Sequence, residues 1–184
     1  VGNVSPWTSL SSFRTSCATI IAPWSEDFES ADWLVPGFGG TGTIDPCFSR
    51  NATADLVFVT GPPTFSAFNS GPDADHTSGV GKFVYSELMS FGTTPFIAQI
   101  KTPEIDVSGL TAPEMSFWYH MFGFNIGSLQ VAVSANGGSF STIKTITGQQ
   151  QTSKADAWIE EIVDLSAYSN DVIVVRFRSV QTAF

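Results

Sequence analysis

The stretch Met115-Ser116-Phe117-Trp118-Tyr119-His120-Met121-Phe122 decides how this 184-residue chain is read. Successive side chains of an extended strand point to opposite faces. That rule puts Met115, Phe117, Tyr119 and Met121 on one side and Ser116, Trp118, His120 and Phe122 on the other. Both sides are partly apolar, so a central strand is expected here. Just downstream, Leu129, Val131 and Val133 alternate with Gln130, Ala132 and Ser134, and Asn136-Gly137 predicts a type I′ hairpin turn. Further strands are expected over residues 140–146, 157–163 and 172–180. In the last of these, Ile173, Val175 and Phe177 face the core while Arg176 and Arg178 point outward.

Upstream of the deciding stretch, residues 56–59, 83–88 and 96–100 are short apolar runs separated by Gly, Thr and Pro. Residues 23–45 carry Gly37, Gly39, Gly40 and Gly42 and read as loop with short strands. No segment holds a 3.6-residue apolar period. Short strands with a turn signal about every ten residues predict an all-β, antiparallel β-sandwich of jelly-roll type. Residues 1–22, rich in Ser and Thr, read as a lead-in segment, and residues 23–184 as one domain. There is no internal repeat and no low-complexity tract.

Composition narrows the function. Hydrophobic residues make up 42%, enough for a full core, while charged residues are only 14% against the usual quarter. With 16 Gly and 16 Phe, this is the make-up of an extracellular β protein. A net charge of −9 and only 8 scattered basic residues exclude counterion-releasing nucleic-acid binding. No apolar run approaches the roughly 20 residues that span a bilayer, so no membrane insertion is expected. The two cysteines, Cys17 and Cys47, are too few for a thiolate zinc site and lack CxxC spacing. They form either a disulfide or two free thiols. The disulfide is favoured; it would close a loop worth about 3–4 kcal/mol and imply an oxidising compartment.

The residues supply no catalytic constellation. His76 and His120 are the only histidines, no Gly-x-Ser-x-Gly elbow accompanies them, and paired metal-binding histidines are absent. His120 is expected to pack within its sheet and His76 to order the loop around Asp75. No spacing selects two carboxylates as a glycosidase pair, and Gly79-Val80-Gly81 lacks the third glycine and helix of a phosphate cradle. Trp7, Trp24, Phe65, Phe68, Phe91 and Phe124 lie in or near loops, where they either pack locally or form an exposed platform for a sugar or a protein. Asn3-Val4-Ser5 and Asn51-Ala52-Thr53 match the N-glycosylation pattern, which only a eukaryotic secretory pathway would use.

Four stretches carry a family resemblance. They are Glu26-Asp27-Phe28-Glu29 with Trp33; Gly71-Pro72-Asp73-Ala74-Asp75-His76-Thr77 followed by Gly79, Gly81 and Tyr85; 116–123 followed by Gly127-Ser128-Leu129-Gln130-Val131; and Trp158 leading to Asp164-Leu165-Ser166. In this order they resemble the MAM domain of meprins, neuropilins and receptor tyrosine phosphatases, and in particular its bacterial versions in secreted multidomain proteins. The resemblance spans residues 23–180. The segment from Cys17 to Glu29, with Cys47 after Pro46, is also similar to the start of surface modules secreted by Bacteroidetes, which supports pairing of the two cysteines.

The resemblance implies a jelly roll, with Trp33, Trp118 and Trp158 in its core. It implies a non-enzymatic extracellular adhesion or protein–protein interaction module of a larger secreted or cell-surface protein. The alternative is a carbohydrate-binding module attached to a secreted hydrolase. Partners would be a protein or a glycan on a surface. It further implies a structural Ca²⁺ ion on Glu29 and Asp75 foremost, with Asp27 and Asp73 beside them. Calcium takes six to eight hard oxygens; Asp27 and Glu29 would share one side of a strand, and Asp73 and Asp75 sit in a Gly- and Pro-bracketed loop. The alternative is that Asp27 is solvated and Asp73 and Asp75 cap turns. Members of the family usually finish with a strand bearing an Asp-rich motif, and this sequence stops at Phe184, before it. Either another segment completes the sheet, or a missing strand leaves an open edge that could recruit a partner strand and support self-assembly.

Overall fold

The structure is a computed structural model that describes residues 17–34, 42–51, 57–60, 70–86, 96–124 and 126–181. Among these the regular elements are β1 (Ile20–Ile21), β2 (Ser49–Arg50), β3 (Val57–Thr60), β4 (Phe83–Ser86), β5 (Phe96–Lys101), β6 (Ile105–Asp106), β7 (Glu114–Tyr119), β8 (Ser128–Ala135), β9 (Ser141–Thr147), β10 (Ile159–Asp164) and β11 (Val172–Gln181). A single 3₁₀ turn, Ser166–Tyr168, separates the last two. The architecture is the all-β sandwich of jelly-roll type.

The ten-residue β11 organises the larger sheet. One edge of it pairs with β8, which in turn pairs with β9; the other edge is shared by β6 and β5, which lead on to β1 and β2. All of these ladders are antiparallel except β1 with β6, where Ile20 lies beside Ile105 in parallel. Two residues read as lead-in segment are therefore part of the sheet. β7 pairs with β10, and β3 with β4.

The layers meet through one face of each strand. Val131, Val133, Ile173 and Val175 of the large sheet enclose an apolar centre with Val163 and Leu165, against which Met115 and Phe117 of β7 pack. Phe117 meets Phe177 edge-on at 5.1 Å. Full burial of such side chains is worth roughly 1.5–3 kcal/mol each. Trp33, wholly buried, centres a second cluster with Ala98 and Ile100. The outward residues of β11 behave as their alternation predicts: Arg176 lies over the Phe140 ring at 4.5 Å, and Arg178 donates to Gln130.

The hairpin turn also forms as expected. Asn136 and Gly137 both have positive φ (50° and 73°), and the Gly138 amide donates to the Ala135 carbonyl at 2.8 Å. β7 departs from expectation. Among the described residues it has one ladder partner rather than two, and its Trp118 side faces solvent rather than a second layer.

Candidate functional site

Asp75 builds the loop between Gly71 and Lys82. Its buried carboxylate accepts the backbone N–H groups of Thr77, Ser78 and Gly81 at 2.9, 2.8 and 2.7 Å, and the Ser78 hydroxyl besides. Burial works against the charge, but these donors outweigh it and hold the carboxyl below its ordinary range. The loop is fastened to the β7–β10 end of the sandwich. Gly71 N–H donates to the Phe122 carbonyl, and the Trp158 indole N–H donates to the Ala74 carbonyl.

A second segment closes on this loop. Glu29 Oε1 accepts the Lys82 amide at 2.5 Å, while the Lys82 ammonium donates to the carbonyls of Glu29, Ser30 and Trp33 at 3.2, 2.9 and 2.8 Å. Gly81 sits between the two acids. A Cβ there would collide with Glu29 Oε1 and lie 3.1 Å from Asp75 Cγ, so only glycine lets both carboxylates converge.

Of the four acidic residues expected to hold calcium, the fold therefore brings Glu29 and Asp75 together. Asp27 Oδ1 accepts the Glu29 amide, and Asp73 faces Lys154. Residues 26–29 are not a strand: Phe28 has φ 64°, because Glu26 Oε1 accepts its amide and Asp27 Oδ1 accepts that of Glu29. Burial pushes the Glu26 carboxyl up from its ordinary value. Phe28 still reaches the core, edge-on to Trp33 at 4.9 Å. Asp73 is 62% exposed and pairs with Lys154 at 3.5 Å. Among the described residues no three acidic, histidine or cysteine side chains form a metal-binding group. Glu29 and Asp75 thus fit the acidic part of a hard-cation site, and any further oxygens would have to be other than carboxylates from this set.

Cys17 and Cys47 are bridged, with Cα atoms 5.5 Å apart. The bridge ties the start of β1 to the segment leading into β2, beside Phe48, which stacks edge-on against Trp33. Trp24 leans on the other side of Phe48 at 6.1 Å and is partly exposed, and Phe124 is largely exposed. Trp7, Phe65, Phe68 and Phe91, Asn3-Val4-Ser5 and most of the Asn51-Ala52-Thr53 sequon lie outside the described residues.

Among the described residues neither histidine is hydrogen-bonded to a serine hydroxyl or a carboxylate. Among the described residues His76 has the Thr77 hydroxyl, at 3.5 Å, within hydrogen-bonding range, and its ring stacks on Trp118 at 3.7 Å and 17°. Both ring nitrogens of His120 are buried beside the Ser153 and Asp156 backbone, without a well-aligned hydrogen bond. Its ring lies edge-on to Trp158, and burial holds its pKa below the usual value. His120 packs, as expected, and His76 ties the loop around Asp75 to the Trp118 indole by stacking.

That indole is a correction. Trp33 is core and Trp158 is largely enclosed, but Trp118 is 42% exposed. In the β7–β10 ladder Glu114 lies across from Asp164, Ser116 from Ile162 and Trp118 from Glu160. Directly opposed residues of an antiparallel pair share a face, so these six form one surface, and all six are exposed. Alternation located this face but gave no sign that it was open, because Trp118 and Phe122 made it partly apolar, like its reverse.

The architecture is thus a disulfide-bonded jelly-roll sandwich with a loop-bound acidic pair and an open aromatic face. Residues 60–183 match the profile of the MAM domain, meprin/A5/mu, and the chain belongs to that family. It is 32% identical over 157 residues to Neuropilin-1a of Danio rerio, a match covering 80% of this chain and 16% of that protein. It is also 39% identical over 72 residues to Thyroid hormone-induced protein B of Xenopus laevis, covering 38% of this chain and 10% of that protein. The chain thus spans about a sixth or less of the length of these relatives.

Proposed function

We propose that the chain is an extracellular adhesion or protein–protein interaction module of a larger secreted or cell-surface protein, and not an enzyme. The observation that carries this reading is the MAM-family match over residues 60–183. The bridged Cys17–Cys47 pair supports an oxidising compartment. The exposed Trp118–Ile162 face supports a surface whose task is contact. Beads coated with the purified chain should adhere to cells or to one another, and proteolysis of the opposing surface should abolish the adhesion. Turnover of a peptide or glycan by the purified chain would overturn the non-enzymatic reading.

The exposed Trp24 and Trp118 favour, as a second reading, a carbohydrate-binding module of a secreted hydrolase. Tight binding to one polysaccharide on a glycan array, lost on substitution of either tryptophan, would select it.

We also propose that Glu29 and Asp75 hold a structural calcium ion that clamps residues 29–33 to the 71–82 loop, their convergence at Gly81 being the support. Calcium should raise the melting temperature of the parent chain, and should not raise that of Glu29→Ala or Asp75→Ala. Equal melting in calcium and in chelator would remove the ion.

A further inference from the structure

We propose that the open face of β7–β10 receives an extended, basic segment of a partner protein, a reading that rests on the adhesion function above. The face has an apolar middle and an acidic frame. Trp118, 42% exposed, and Ile162, 57% exposed, supply the apolar area, with Ser116 between them. Burying an aromatic side chain of this kind removes roughly 150–250 Å² from water, so a tryptophan left outside is surface held ready for contact. His76 stacks on one side of the indole and fixes its orientation, which lowers the ordering cost of binding.

The charges choose the occupant. Glu114, Glu160 and Asp164 are the charged residues of this six-residue face, and no lysine or arginine stands among them. Lys144 of β9 is bonded at 2.7 Å to Glu161, which the alternation puts on the reverse face. Asp164 is partly engaged by the Ser166 amide. Among the described residues, Glu114 and Glu160 have neither a salt bridge nor a hydrogen bond from a side chain. A neutral glycan would gain the indole but leave that uniform negative frame unmatched. A cationic side chain gains both, since a guanidinium or ammonium over an indole is attracted by the ring and by the carboxylate directly across from it.

The spacing sharpens the motif. Glu160 and Trp118 form one end of the face and Glu114 and Asp164 the other, four residues along each strand. At about 3.3 Å per residue the two ends are roughly 13 Å apart. An extended segment with basic residues at positions i and i+4, and an apolar residue between them over Ile162, matches both ends at once.

The test is an NMR titration of the isotopically labelled whole chain with three peptides. One carries arginines at i and i+4 about a central valine; the second has glutamates in place of the arginines; the third has the arginines adjacent. The first should shift the amides of 114–118 and 160–164 and bind at least about tenfold more weakly at high salt than at low salt. Trp118→Ala and Glu160→Gln should each weaken it by about fivefold or more. Both substitutions lie on the exposed face, and melting curves close to the parent's show that the fold survives. Equal binding of all three peptides, or indifference to both substitutions, overturns the proposal. So does a salt-insensitive glycan ligand lost with Trp118→Ala, which assigns the face to a sugar. Cell adhesion that survives both substitutions sinks this face alone, whereas absence of any adhesion sinks the function on which it rests.

Discussion

Replacing Asp75 with asparagine tests the central claim about the 71–82 loop, that one carboxylate substitutes for regular structure there. The carboxylate offers two acceptor oxygens: Oδ2 takes the amides of Thr77 and Ser78, and Oδ1 takes that of Gly81. An amide side chain has one acceptor oxygen. With it turned toward Thr77 and Ser78, its NH₂ confronts the buried Gly81 N–H, and an orphaned buried donor costs about 1–3 kcal/mol. The two retained bonds lose their charge assistance, which roughly halves them. A total near 3 kcal/mol lowers the melting temperature of a domain of this size by roughly 6–12 °C. Thermal melting by circular dichroism in chelator, for the parent and Asp75→Asn, isolates these hydrogen bonds from any ion. The pH dependence gives a second arm. The folded carboxyl titrates below its unfolded value, so its stabilisation is complete above roughly pH 4 and is lost as pH falls through the folded pKa. The gap between parent and variant should therefore be full at neutral pH and close progressively below about pH 4. A variant that melts within a degree of the parent at neutral pH, or a gap that widens in acid, would refute the assignment.

Two further perturbations probe the frame. Gly127→Ala should destabilise by about 1–3 kcal/mol or more, because the new Cβ would strike the Val180 carbonyl oxygen and lie 2.9 Å from its carbonyl carbon. That backbone is held on its far side by β5, so a shifted urea midpoint is expected, and an unchanged one would contradict the close approach. Cys17→Ser with Cys47→Ser opens a loop of 30 residues' separation and should cost about 3–4 kcal/mol in the same assay, with the parent falling to that level in reductant.

What could be read from the sequence was whatever short-range pattern decides. Apart from β6, which no apolar run announced, the strands from β3 to β11 lie within about three residues of the runs that foretold them, and the Asn136-Gly137 turn follows from the positive φ both residues tolerate. Residues 26–29 failed because their pattern was read by alternation. Two acidic side chains there accept backbone amides two residues on, and that local bonding outcompetes an extended backbone. The parallel pairing of β1 with β6 was hidden for a different reason. It joins residues 20–21 to 105–106, and nothing in either dipeptide specifies so distant a partner.

The candidate site divides along the same line. Glu29 and Asp75 are 46 positions apart, and family resemblance, not spacing, brought them together on paper. The structure adds why they meet, since Gly81 clears the space and Lys82 draws three carbonyls of residues 29–33 toward the loop. Lys82 carried no sequence signal, because a lysine beside a glycine reads as solvated surface. Trp118 is the instructive opposite. An aromatic in a strongly alternating strand reads as core whichever face it occupies, and only the layers contributed by distant segments decide which face is covered. Here Met115 and Phe117 meet the large sheet, so Trp118 is left facing outward across from Glu160. The packing that completes the core therefore also leaves an uncovered indole beside carboxylates that have no salt bridge among the described residues, and a substitution that weakens binding there should leave the core untouched.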